Sequence, residues 1–160
     1  MKKLLLFLAV AFSGIASYAQ LLTWSPLFPT DATTNFVITV DATKGNQGLL
    51  NYTPGSDVYI HTGVITSSST SATNWRYVRD FGVPNPFSTP IPQLQATYLG
   101  NNKWQYTITG DIRSFYGVPT GEQILKIALL FRSGNGSRVQ RNSDGSDMYI
   151  PVYTSALATR

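Results

Sequence analysis

The run from Glu122 to Arg132, EQILKIALLFR, limits the possible folds of this chain more than any other stretch. Drawn as extended backbone, it puts Leu125, Ile127, Leu129 and Phe131 on one face and Lys126, Ala128, Leu130 and Arg132 on the other, so both faces are largely apolar away from the ends. A strand of that kind belongs in the middle of a sheet, with cover on both sides. A buried helix is the competing reading, because Ala, Leu and Lys suit helices. The run is short, however, and is bounded by Pro119-Thr120-Gly121 and Ser133-Gly134-Asn135-Gly136, which favours the strand.

Period-two alternation recurs along the chain. Leu21 to Trp24 reads as a first strand ended by Ser25-Pro26, and Phe36, Ile38, Val40 and Ala42 alternate with Val37, Thr39 and Asp41. Val58, Ile60 and Thr62 alternate with Tyr59 and His61 over Asp57 to Thr62, and Trp75, Tyr77, Arg79 and Phe81 alternate with Arg76, Val78 and Asp80 over Asn74 to Phe81. The Ser/Thr tract Thr66 to Thr73 is loop, and prolines 84, 86, 90 and 92 make Val83 to Pro92 an extended surface connection. Leu94 to Leu99 and Trp104 to Thr109 flank Gly100-Asn101-Asn102-Lys103, the best hairpin signal in the sequence. Asp111 to Gly117 suits a short helical turn, and Met148 to Tyr153 is a last strand that Pro151 marks as an edge. About eight short strands separated by turn signals favour an all-β fold, a two-sheet antiparallel immunoglobulin-like β-sandwich.

The N-terminus carries Lys2 and Lys3, an apolar stretch from Leu4 to Ala16 and then Ser17-Tyr18-Ala19, the pattern of a secretory signal over residues 1–19. Cleavage after Ala19 leaves one domain over 20–153, followed by residues 154–160 as a linker or tail that opens onto a possible further module. With no cysteine there are no disulfides, no thiol nucleophile and no lipid attachment point, so neither anchor nor membrane span is expected and the localisation is secreted. Loss of the two signal lysines leaves ten basic against eight acidic residues, too small an excess to point to nucleic acid. Arg132, Arg138 and Arg141 make the only local basic cluster.

The chemistry on offer is sparse. His61 is the only histidine and Glu122 the only glutamate, so a multi-histidine metal site is impossible, and the spacing of the acids does not argue for a hydrolytic carboxylate pair. No catalytic residues, metal or cofactor are expected. Asn142-Ser143-Asp144-Gly145-Ser146-Asp147 gathers oxygen ligands, but it lacks the alternating acids and closing glutamate of a calcium loop and reads better as a self-bonded turn. Trp24, Trp75 and Trp104 have most to offer a ligand, because aromatic faces suit the apolar C–H faces of sugars. Sandwich cores also use such residues as filling, and Trp75, directly after the polar tract, is the best candidate for exposure.

DATKGNQGL from Asp41, VYIHTGVIT from Val58, NWRYV from Asn74, LLFRS from Leu129 and GSDMYIPV from Gly145 occur here in that order. Together, over nearly all of Leu22 to Tyr153, they resemble the N-terminal immunoglobulin-like module of secreted Bacteroidetes multidomain proteins, notably alpha-amylase-family glycoside hydrolases. Such modules are distantly similar to starch-binding carbohydrate-binding modules. The resemblance implies a non-catalytic accessory module with an α-glucan polysaccharide and a downstream catalytic domain as its partners. By position it nominates Tyr59, His61 and Trp75 as carbohydrate-binding residues, joined by Tyr77 on the face of Trp75. Where a second tryptophan is expected after Trp75, this chain carries Phe81.

Overall fold

A computed structural model of the protein describes residues 20–154; the expected signal segment and all but the first residue of the expected tail lie outside that range. The described residues form eight strands in two antiparallel sheets packed face to face, an all-β sandwich. The first sheet joins β1 (Leu22–Ser25), β2 (Thr34–Asp41), β5 (Lys103–Asp111) and β4 (Thr97–Gly100) in the spatial order β1-β2-β5-β4. In the second, β6 (Ile124–Ser133) lies between β3 (Val58–Thr66) on one side and β7 (Val139–Gln140) and β8 (Met148–Pro151) on the other. The central position expected of the EQILKIALLFR run is therefore the observed one. Pro151, which lacks an N–H to donate, sits on β8, where β6 is the only pairing partner.

The core fills the space between the sheets. Phe36, Ile38 and Val40 of β2 and Trp104 and Ile108 of β5 face Val58, Ile60, Ile127, Leu129 and Phe131 of the second sheet, all fully buried. Trp104 satisfies its indole N–H by donating to the Gly55 carbonyl at 2.8 Å, which removes the polar cost of placing it there. The β4–β5 turn uses left-handed backbone at both Asn101 and Asn102, with φ of 50° and 61°, and so matches the twist of a tight hairpin. A short helix, α1 (Ile112–Tyr116), closes one end of the sandwich. Asp111 caps it by accepting from the Ser114 N–H at 2.8 Å, and Gly117 ends it in the left-handed region.

Four sequence expectations need correction. Leu125 is not core: a register shift opposite Ile65 and Thr66 makes it the extra residue of a bulge, so Leu125 is 39% exposed and Ile124 takes the inward place. Asn74 to Phe81 is not a strand, because Tyr77 and Phe81 both adopt left-handed backbone (φ 50° each), and only Arg76 bridges β3, at Val64. Arg132 is no part of a surface basic cluster, for it is fully buried. The proline-rich connection also does more than run over the surface. Ile91 and Leu94 reach the core, and Pro92–Leu94 forms a 3-10 turn.

Because Leu129 lies in the core and Leu125 on the bulge, the two truncations should separate cleanly. Leu129→Ala is expected to lower unfolding free energy by about 2–5 kcal/mol in urea titrations, and Leu125→Ala by less than about 1 kcal/mol.

Candidate functional site

The outer face of the second sheet carries the candidate site. Alternation along β3 sends Tyr59, His61, Gly63 and Ile65 outward, and pairing with β6 sets His61 opposite Leu130 and Tyr59 opposite Arg132. Much of this face is covered by other parts of the chain. The chain between β3 and β4 crosses it, pairing Arg76 with Val64 through backbone hydrogen bonds of 2.8 and 2.9 Å and donating from the Arg79 N–H to the Thr62 carbonyl at 2.9 Å. Gly63 makes the approach possible. A Cβ there would lie 2.9 Å from the Arg76 carbonyl oxygen and 3.1 Å from Val78 Cγ2.

Trp75 is thereby carried over His61. Their rings lie 5.7 Å apart at 27°, and Phe87 meets the imidazole edge-on at 5.3 Å and 85°. These three rings, Leu130 and the Arg141–Asp147 ion pair (3.3 Å) line an open hollow of about 360 Å³. Burial, helped by the nearby Arg132 cation, depresses the His61 pKa to about 4, so the imidazole is neutral at pH 7. The Trp75 indole N–H is buried and finds no acceptor among the described residues. Such an arrangement offers a flat aromatic wall, a neutral imidazole and one paired cation and anion at the rim. It can hold a ligand with an apolar face and polar edges.

Of the four residues nominated by the sequence, the structure brings His61 and Trp75 together in this hollow. Tyr59 shares the face of His61 but is only 8% exposed, with the Arg132 guanidinium 5.5 Å from its ring centre, and so it presents no platform. Tyr77 does not line the hollow; its hydroxyl donates to Glu122 Oε2 at 2.6 Å. Glu122 also accepts from Thr66 Oγ1 and lies 3.0 Å from Arg76 Nε, so the only glutamate of the chain clasps the segment beside Trp75 onto the start of β6. The Thr66 and Tyr77 hydroxyls, then the Arg76 guanidinium, hold the Glu122 carboxyl below its usual range against the opposing effect of burial.

Phe87, Arg141 and Asp147 were not legible as site residues. Phe87 lies in a proline-rich stretch with no pattern of its own, Arg141 reads only as part of a basic cluster, and Asp147 closes the 142–147 turn weighed for calcium. That turn is self-bonded. Asp144 Oδ1 accepts from the Ser146 N–H and Oγ at 2.9 and 2.6 Å, and the Asn142 amide donates to the Asp147 carbonyl at 2.8 Å. Among the described residues, no group of three or more His, Asp or Glu side chains is placed to hold a metal ion.

Trp24, the remaining tryptophan, is half-buried at the end of β1, where its indole N–H donates to the Leu27 carbonyl at 3.2 Å. No protein-family model matches the chain, and no curated protein matches it either.

Two titrations should be separable in the pH dependence of stability. His61 binds its proton less readily when folded, so the stability that its neutral form supports is complete above about pH 6.5 and declines as pH falls toward about 4. Glu122, with its folded pKa below the ordinary carboxylate value, adds a loss that begins as pH falls below about 4.5. Urea unfolding at steps from pH 7 to pH 3 is expected to show the upper decline flattened in His61→Asn and the lower one in Glu122→Gln. Unchanged profiles in both variants would contradict these assignments.

Proposed function

We propose that this chain is a secreted, non-catalytic accessory module whose hollow at Trp75 and His61 binds carbohydrate of the α-glucan class for an attached or partner glycoside hydrolase. The observation that carries the reading is the seating of Trp75 beside the Arg141–Asp147 pair, in a hollow of about 360 Å³ that also holds Phe87 and His61. A pyranose presents C–H bonds on its faces and hydroxyls around its edge. Indole and phenyl rings take the first, and a carboxylate that accepts beside a guanidinium that donates takes the second. The volume lies within the range of roughly 300–1,000 Å³ usual for small-ligand sites. Contact at one or two rings with a few hydroxyl hydrogen bonds makes for weak binding, as suits a module that concentrates a polymer near an enzyme.

A second reading, a structural spacer without ligand, draws on the same contacts. One face of the Trp75 ring is already taken by His61, Tyr59 is buried and the Tyr77 hydroxyl is engaged. Affinity electrophoresis separates the two. Carbohydrate binding predicts retardation in starch or glycogen gels and none in an unrelated polysaccharide. Trp75→Ala is expected to abolish retardation while costing the fold less than about 3 kcal/mol, whereas Trp104→Ala should cost about 3–5 kcal/mol or prevent folding. Free migration of the unaltered protein through every glucan would leave the spacer as the reading that stands.

A further inference from the structure

Arg79 stands apart from the other arginines of the described chain. Arg76 pairs with Glu122, Arg113 with Asp31 and Arg141 with Asp147, while Arg132 and Arg138 donate to backbone carbonyls. The guanidinium of Arg79 has neither a hydrogen bond nor an ion pair to any described residue, and its Nε is buried without a partner. It is not loose. Its central carbon lies 4.4 Å from the ring centre of Phe81 and 5.3 Å from that of Phe115, and its backbone is hydrogen-bonded to β3. The cation is thus fixed by two aromatic contacts and left without an acceptor.

The backbone on either side bears a cost to produce this arrangement. Tyr77 and Phe81 both have φ of 50°, a conformation that bulky side chains rarely adopt. Phe81 is 40% exposed although it stacks on Arg79, so an apolar surface lies beside the cation and open to solvent. Asp80, the nearest acid in sequence, accepts from the Gly82 N–H at 3.0 Å and forms no ion pair with Arg79.

We infer that Arg79, with Phe81 and Phe115, is a second binding site, and that it takes the carboxylate of an acidic saccharide. One guanidinium offers two parallel N–H donors, the spacing of a planar carboxylate. A uronic acid carries that carboxylate on a pyranose ring, whose C–H face can rest against Phe81. Phosphate or sulfate would suit a site with several cations and no apolar wall. The site does not depend on the Trp75 hollow, whose lining residues do not include it.

Calorimetric titration of the purified protein with trigalacturonate tests the assignment, with maltotriose, inorganic phosphate and hexaglutamate titrated in parallel. Trigalacturonate is expected to bind more weakly as salt is raised and to lose about ten-fold or more in affinity in both Arg79→Gln and Arg79→Lys, the second keeping the charge but not the fork. Trp75→Ala should leave this binding unchanged, so failure at one site is distinguishable from failure at the other. Thermal melts identify any variant that has not folded, and Arg79→Lys retains the stem and charge needed for the read-out if Arg79→Gln does not. The inference is overturned by no heat with trigalacturonate, by equal affinity in Arg79→Lys, or by phosphate or hexaglutamate binding as tightly as the sugar acid.

Discussion

The buried cation of Arg132 governs how this sandwich is finished. A strand apolar on both faces needs cover on both, and the first sheet covers only the inner face of β6. On the outer face the strand ends in a fully buried arginine with no carboxylate as a direct partner among the described residues. Burial lowers its pKa, but an arginine has so much reserve that the group stays charged. An isolated charge in such a place is costly, so acceptors must come to it. Four carbonyls do: Ser133 and Gly134 from its own strand end, and Pro86 and Thr89 from the proline-rich connection, at 2.6–2.9 Å. Carbonyls of the connection can serve because prolines, lacking N–H groups, leave that backbone with more acceptors than donors. Through these bonds the charge on β6 holds a third layer of chain against the sheet.

That layer is fastened at three places, and the candidate site lies among them. The Arg132 guanidinium, donating to the Pro86 and Thr89 carbonyls, holds its far end, near Phe87. The backbone pairs of Arg76 with Val64 and of Arg79 with Thr62 hold its middle along the free edge of β3. Glu122 holds its near side through Tyr77, Thr66 and Arg76. Trp75 and Phe87 therefore stand at fixed positions over His61 without belonging to any strand. A rigid sandwich with an irregular but well-anchored covering segment can place side chains where alternating strands cannot.

Much of the fold was legible in the sequence because strand pattern and turn chemistry are local. The asparagine pair at the β4–β5 turn, the Asp111 and Gly117 caps and the proline in β8 each announce their role from one or two residues. Leu125 was misread for a reason that is not local: its exposure follows from a one-residue register slip against Ile65 and Thr66, and alternation within β6 carries no record of it. Asn74 to Phe81 was misread because left-handed backbone at a tyrosine and a phenylalanine has no residue signature, unlike the same conformation at glycine or asparagine. Of the site, His61 and Trp75 were reachable from sequence. Phe87, Arg141 and Asp147 were not, since they meet only after separate connections have been folded over the sheet.

The two left-handed aromatics bear on why ligand chemistry should gather on the covering segment. Such residues cost of order 1–3 kcal/mol each and persist only where their surroundings determine them. For Tyr77 the compensation is visible, in a hydroxyl bonded to Glu122 Oε2 and a guanidinium, that of Arg76, 5.3 Å from its ring centre. For Phe81 it is smaller: the ring remains 40% exposed, and it stacks on a cation that itself lacks an acceptor among the described residues. Within the folded chain alone, that corner is less well balanced than the one at Tyr77. An anion that accepted from the terminal nitrogens of Arg79 while covering the Phe81 ring would supply two missing contacts at once, an argument for a ligand at this corner that does not draw on the Trp75 hollow.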